Sequence, residues 1–155
     1  MPVCPVTVVL PCLDEATSLP GVLAALPTGY RALVVDNNST DGTAEVARRH
    51  GAEVVAESRP GYGAAVHAGV VAATTPIVAV LDADGSLDPG ALPDLVDDVE
   101  GGADMAIGRR RAQPGLKWPW HARLGTAAVC WRLRTRYGLQ VHDIAPMRVA
   151  RRDAL

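Results

Sequence analysis

No apolar run in these 155 residues reaches the roughly 18 that a membrane-spanning helix needs. Gly69 to Ala73 is cut off from Pro76–Leu81 by Thr74 and Thr75. The start, Met1-Pro2-Val3, puts no basic segment ahead of an apolar one, so no secretory leader is expected. Only three cysteines occur, Cys4, Cys12 and Cys130, and their spacing suits no metal site. Free thiols in a reducing compartment follow, with Cys4 and Cys130 as small apolar core residues. There is no internal repeat, no low-complexity linker and no Gly-rich phosphate loop ending in Lys-Ser/Thr. Gly61-Tyr62-Gly63 is not a dinucleotide fingerprint, because it follows the third apolar run rather than the first and has the wrong spacing. With 48% hydrophobic and 21% charged residues, disorder, collagen and a disulfide-stapled miniprotein are excluded. The length suits one domain.

What is present is unevenly spread. Residues 1–100 carry 14 acids and 4 bases, a charge of −10; residues 101–155 carry 3 acids and 11 bases, a charge of +8. The plain explanation is two differently solvated faces. The split also fits a first part that holds a metal and a second that meets phosphate.

Short apolar runs alternate with longer Ala-rich stretches. Val6–Leu10, closed by Pro11, then Ala32–Val35, Glu53–Ala56, Ile77–Leu81 and Met105–Ile107 lack polar alternation, which suits strands buried on both faces of a parallel sheet. A further strand is expected around Met147–Ala150. Helices are expected over Leu19–Leu26 after Thr17-Ser18, Thr43–His50 before Gly51, Gly63–Ala73, and Pro89–Val99 after Asp88. Arg123–Tyr137 reads as a basic amphipathic helix, and the last residues before Leu155 as the start of another. This alternation predicts a doubly wound α/β layer.

In such a sheet ligands bind beyond the carboxyl ends of the strands. The residues expected there are Pro11-Cys12-Leu13-Asp14-Glu15, Asp36 to Thr43, Ser58 to Gly63, and Asp82-Ala83-Asp84-Gly85. Asp82 and Asp84, two apart at the end of an extended run, can face one side. Two adjacent carboxylates repel unless a cation joins them, and hard oxygen ligands suit Mg2+ or Mn2+. A solvated Asp-Gly turn is the plainer alternative. Asp36 can accept from ribose hydroxyls or a base edge. Asn38, Ser39 and Asp41 can cap the helix that follows. Gly61 and Gly63 let backbone approach a ligand, with a helix N-terminus behind them that favours anions.

Taken in order, Pro11-x-x-Asp14-Glu15, Val34-Val35-Asp36-Asn37-Asn38-Ser39-Thr40-Asp41-Gly42-Thr43, Arg59-Pro60-Gly61-Tyr62-Gly63-Ala64-Ala65 and Leu81-Asp82-Ala83-Asp84-Gly85 resemble family 2 glycosyltransferases of the GT-A fold, in particular the dolichyl- or polyprenyl-phosphate sugar synthase branch. The resemblance runs over residues 5–110 in order and spacing, and His142-Asp143-Ile144-Ala145-Pro146-Met147-Arg148 is similar to the family's later Asp…Arg segment. It implies a three-layer α/β/α fold with a mostly parallel central sheet. It implies one domain over residues 1–155, with a nucleotide-sugar-binding part at 1–108 and a basic acceptor-side part at 109–155. It also implies an inverting transferase that uses Mg2+ or Mn2+ and a nucleotide-diphosphate sugar. Pro11, Asp14, Glu15 and Asp36 would contact base and ribose, with Asn38, Asp41, Gly61, Gly63 and Arg109 completing the donor site. Asp82 and Asp84 would hold the metal on the diphosphate, Asp84 more directly. Two residues depart from the pattern: Asp14 stands where the family often has Asn, and Ser86 where the branch tends to have Gln.

Arg109–Arg111, Lys117, Arg123 and Arg148 could meet donor or acceptor phosphate, and Trp118 and Trp120 suit an interfacial position over lipid. A solvated loop with incidental tryptophans explains them equally. A lipid phosphate acceptor at the membrane surface is ionised already and needs no general base, whereas for a hydroxyl acceptor Asp143 is the candidate base. No nucleic-acid partner is expected. The expected compartment is the cytoplasm, with peripheral attachment at the inner membrane face as its extension. A sugar-1-phosphate nucleotidyltransferase would need a Gly-rich loop with Arg and Lys after the first strand, and Pro11–Glu15 has neither. The relatives continue past the segment matching 143–155, so the remaining alternative is a shortened domain that binds nucleotide sugar without transferring it.

Overall fold

The computed structural model describes residues 5–108, 130–132, 135, 136, 138 and 147–155. Six strands form one sheet: β1 (Val6–Cys12), β2 (Arg31–Asp36), β3 (Glu53–Ala56), β4 (Ile77–Val80), β5 (Met105–Ile107) and β6 (Arg148–Arg151). Their order is β3-β2-β1-β4-β6-β5. The β1–β2, β1–β4 and β2–β3 pairs are parallel, while β6 lies antiparallel to both β4 and β5. The doubly wound, mostly parallel α/β class expected from the sequence is therefore the observed one. What the sequence did not indicate is that the last strand slots between β4 and β5.

Helices cover the sheet, among them α1 (Leu19–Ala25), α2 (Thr43–Arg49), α3 (Tyr62–Ala72) and α4 (Leu92–Glu100). The unalternating runs explain the layers. Successive residues of β1 point to opposite faces, and both faces are apolar. Val6, Val8 and Leu10 pack with Leu19, Val22, Ala47, Leu92, Val96 and Val99 from α1, α2 and α4. Val9 packs with Leu33, Val35, Val78 and Val80 and with Ala65 of α3. A Cβ built on Gly69 of α3 would stand 2.2 Å from Val9 Cγ1, so only glycine lets this helix lie so close to the sheet.

Several boundaries differ from expectation for local reasons. β1 runs through Pro11 to Cys12, because β4 pairs only with Val6–Val9 and Pro11 lies where β1 has β2 as its one neighbour. The fourth strand ends at Val80, with Leu81 N–H still donating to Val9 O, so Asp82 and Asp84 lie beyond the strand, Asp84 in a bend. A short 3-10 turn, Pro89–Ala91, precedes α4, where Asp88 caps Gly90 N–H as its sequence position suggests. The final residues form a 3-10 turn, Arg152–Ala154, instead of a helix start. Asp94, Asp97 and Asp98 face water as expected. Cys12 and Cys130 are buried free thiols. Most of the Arg123–Tyr137 stretch, together with Cys4, lies outside the described residues.

Candidate functional site

β1 is the strand from which the chain first winds outward to β2 and β3 and then returns to β4 on the other side. The crevice beyond the carboxyl ends of β1 and β4 is therefore the topological switch point, where ligands bind in open α/β sheets. The β1–α1, β2–α2, β3–α3 and β4–α4 loops converge there, and side chains join them.

Asp36 Oδ1, at the end of β2, accepts from Ser39 N–H at 3.1 Å. Ser39 Oγ accepts in turn from Asp14 N–H at 3.0 Å, and Asp14 Oδ1 accepts from Thr40 N–H at 2.7 Å. Thr43 Oγ1 accepts from Glu15 N–H at 3.0 Å, and Asp41 Oδ2 accepts from Ala16 N–H at 2.9 Å. These bonds draw the loop after β1 onto the loop after β2. The strain of the arrangement is visible in the backbone: Asp14 (φ 58°) and Asn38 (φ 70°) are the two non-glycine residues with positive φ among those described.

The helix-capping role expected of Asn38, Ser39 and Asp41 is borne by Asp41 alone. Its Oδ1 accepts from Thr43 N–H at 3.0 Å, and the N-cap position itself is Gly42, whose φ of 86° suits glycine. Asn38 Nδ2 instead donates to Ser58 O at 3.2 Å, and the Ser39 hydroxyl serves Asp14. Ser18 likewise makes no side-chain cap bond to α1. Its hydroxyl lies 2.7 Å from Glu15 Oε2 and 2.8 Å from Ala83 O, which ties the β1–α1 loop to the segment between Asp82 and Asp84.

Asn37 was not singled out in the sequence, yet it is 5% exposed and uses its whole carboxamide. Nδ2 donates to Glu57 O and Arg59 O, both at 2.7 Å, and Oδ1 accepts from Gly61 N–H at 2.8 Å. The only hint in the sequence was an amide directly after a buried strand, in a loop crowded with other polar residues. Gly61, at φ 121°, is the N-cap of α3 and has no side chain with which to cap it. A Cβ on Gly63 would meet open space. Gly61 is thus required by conformation, whereas Gly63 is exposed and has no positive φ to require it.

Asp82 is half-buried and Asp84 exposed, with buried Ala83 between them. Tyr62 Oη donates to Asp82 Oδ1 at 3.0 Å, and Asp84 Oδ1 accepts from Ser86 N–H at 2.9 Å. Arg148, half-buried on β6, sits in register with Val80 beside this tip. Burial and the neighbouring Asp82 push the Tyr62 phenol up to about 12, while the Arg148 charge pulls the other way. The acidity of the rim is felt below it as well. Burial, and then the charges of Glu15, Asp36 and Asp41, push the Cys12 thiol up to about 12, so it stays protonated. Asp41 is held below the usual carboxylate range, first by the Thr43 hydroxyl and then by Ala16 N–H.

The fold thus brings Pro11, Asp14, Glu15, Asp36, Asn38, Asp41, Gly61, Gly63, Asp82 and Asp84 to one sheet edge. Arg109 and Asp143 lie outside the described residues. Among the described residues, no three His, Cys, Asp or Glu side chains form a ready-made metal cage. A two-carboxylate set of hard oxygens is nonetheless the kind of site Mg2+ or Mn2+ uses when its remaining ligands are water and substrate phosphate. The residues at the β4 tip fit such an ion.

The sequence pattern described as glycosyl transferase family 2 matches residues 7–155. An uncharacterized glycosyltransferase of Mycobacterium tuberculosis (strain ATCC 25618 / H37Rv) is 73% identical over 150 residues, covering 97% of this chain and 69% of that protein. The polyprenol monophosphomannose synthase of Mycolicibacterium smegmatis is 34% identical over 167 residues, covering 96% of this chain and 62% of that protein. The glucosyl-3-phosphoglycerate synthase of M. tuberculosis, solved with Mn2+, uridine-diphosphate and phosphoglyceric acid, matches with a TM-score of 0.77 at 25% identity. That match covers 97% of this chain but 57% of the solved one, so the chain spans a little over half of that structure's length.

Proposed function

The chain belongs to glycosyl transferase family 2, and from that premise we propose that this transferase domain moves a sugar from a nucleotide-diphosphate sugar to an acceptor, with inversion at the anomeric carbon. The observation that carries the reading is the joined acidic rim at the switch point: Asp14, Glu15 and Asp36 on one side, Asp82 and Asp84 on the other, with Ser18 bridging them. On this reading Pro11, Asp14, Glu15 and Asp36 receive base and ribose. The uncapped N-terminus of α3 at Gly61 faces the diphosphate. Asp82 and Asp84 would hold Mg2+ or Mn2+, which when bound offsets the charge that grows on the departing diphosphate.

The chain's own residues do the remaining work. They orient the donor so that an acceptor oxygen attacks the anomeric carbon from the face opposite the diphosphate. The bond from that carbon to the diphosphate oxygen breaks, and the electron pair leaves with the diphosphate. Arg148 and, from the basic second part, Arg109 would meet phosphate. The relative named a polyprenol monophosphomannose synthase supports a lipid phosphate as the acceptor. Such an acceptor is ionised already, and Asp143 would be needed as a base only for a hydroxyl. We extend the reading to a cytoplasmic domain working at the inner membrane face. Among the described residues no helix is long and apolar enough to cross a bilayer.

The test is a thermal-shift panel of nucleotide-diphosphate sugars with and without Mn2+, followed by a transfer assay to polyprenyl phosphate. A rise in Tm with one donor that requires Mn2+, and label transfer from that donor, are the expected results. No shift with any donor defeats the reading. A shift without transfer or donor hydrolysis reduces it to a binding domain.

A further inference from the structure

We infer that Tyr62 is a positioning residue of the donor site, its phenol holding the Asp82 carboxylate in the orientation in which it receives a divalent cation. The inference rests on the reading of Asp82 and Asp84 as the cation's ligands. Tyr62 opens α3, and its hydroxyl reaches across from the β3–α3 loop to the tip of β4, donating to Asp82 Oδ1 at 3.0 Å.

A further observation shows that this contact is built into the fold. The residue before Tyr62 is fixed from below: Gly61 N–H donates to Asn37 Oδ1 at 2.8 Å, and Asn37 Nδ2 grips Glu57 O and Arg59 O, both at 2.7 Å. A buried asparagine that spends all its hydrogen bonds on one loop fixes where α3 begins, and so where the tyrosine ring stands.

The physical need is plain. Asp82 lies two residues beyond the end of its strand, outside any helix or strand, so the backbone alone leaves its carboxylate torsions open. Hydrogen bonds to the carboxylates that ligate a metal set their orientation and tune affinity. A phenol does this without contributing an opposing charge, as an ammonium in the same place would.

The test uses the whole chain and the Tyr62→Phe variant, which loses one oxygen and keeps the ring. Mn2+ binding is titrated by electron paramagnetic resonance with excess UDP, and separately with excess GDP. The half-saturating Mn2+ concentration is expected to rise roughly tenfold in the variant, as for other groups that orient metal ligands, while the Tm of the metal-free protein stays close to wild type. Adding Tyr62→Phe to an Asp82→Asn background is expected to change Mn2+ binding no further, since the phenol acts through that carboxylate. Unchanged affinity in Tyr62→Phe, or an equal loss in the Asp82→Asn background, overturns the inference and leaves the donor site standing. If the wild-type chain binds no Mn2+ with either nucleotide, the donor-site reading falls and this inference with it.

Discussion

At the amino ends of the strands, polar groups settle with near neighbours. Thr75 Oγ1 lies 2.8 Å from Thr7 Oγ1 and 2.7 Å from Ile77 O, and Arg31 pairs with Glu53 on the exposed edge of β2 and β3. An open groove of about 420 Å³ beside them, lined by Leu23, Leu26, Tyr30, Arg31, His50 and Glu53 among others, holds a single carboxylate. At the carboxyl ends of the same strands, four loops are cross-linked by Ser18, Asn37, Ser39, Asp41, Thr43 and Tyr62, and Asp14, Glu15, Asp36, Asp41, Asp82 and Asp84 stand along the rim. Both ends share one apolar core, so stability alone does not require the difference. An acidic rim costs electrostatic self-repulsion, which is offset when a cation and a ligand are gathered there.

Mutations sort by which end they touch. The largest effect is expected from Asp84→Ala, which should lower sugar transfer at least about 100-fold and abolish the Mn2+-dependent thermal shift while leaving the apo Tm nearly unchanged. Full transfer in this variant, measured with the donor that wild type selects, would show that the rim is ordinary solvated surface.

Gly69→Ala should act on the core shared by both ends. Its Cβ meets the stiff, buried Val9 at 2.2 Å, and overpacking of this kind costs about 2–3 kcal/mol, visible as a Tm several degrees lower. Donor affinity of the remaining folded protein should hold, and a loss confined to binding would mean that the two ends are not separable from the core.

Asn37→Ala strikes the carboxyl end alone. It leaves Gly61 N–H and two loop carbonyls without their buried partner, a loss of about 1–3 kcal/mol. Here both Tm and donor affinity should fall together, in contrast to the two preceding variants. Calorimetry paired with nucleotide titration makes that distinction.

Asp41 gives a pH handle on the same end. Its folded value is depressed by Thr43 and Ala16, so the stabilisation is present above the ordinary carboxylate range and is lost as pH falls through the lowered folded value. The Tm gap between wild type and Asp41→Asn should therefore be full at pH 6 and shrink in acid, and a pH-independent gap would remove the charged bond from the account.

The smallest effect is expected at the amino end. Arg31→Ala removes an exposed pair and should change stability by under about 1 kcal/mol, with no change in donor binding. A marked loss of binding would erase the contrast between the two ends.

Much of this was legible in the sequence, and the reason is local. Ala32–Val35 and Ile77–Leu81 have no polar residue to turn outward, and Val6–Leu10 has only Thr7, so each is buried on both faces, as in a sheet covered by helices. Asp36 and Asp82 directly follow such runs, and Asp14 follows Pro11-Cys12-Leu13 after another, so each marks the rim. The exact reach of each strand was less legible, because it depends on the neighbour: Pro11 is tolerated in β1 where β4 no longer pairs, and β4 stops once Leu81 has met Val9.

By itself, then, the sequence determined which segments are buried and which ends carry carboxylates, because burial and charge are properties of a residue and its close neighbours. The tertiary structure alone decided which loops touch: Ser18 with Ala83, Asn37 with Gly61, Tyr62 with Asp82, and β6 between β4 and β5. Periodicity records that a segment needs a partner, and it carries no label for the partner. That choice is made when separate stretches of chain compete to bury the same surface and satisfy the same hydrogen bonds.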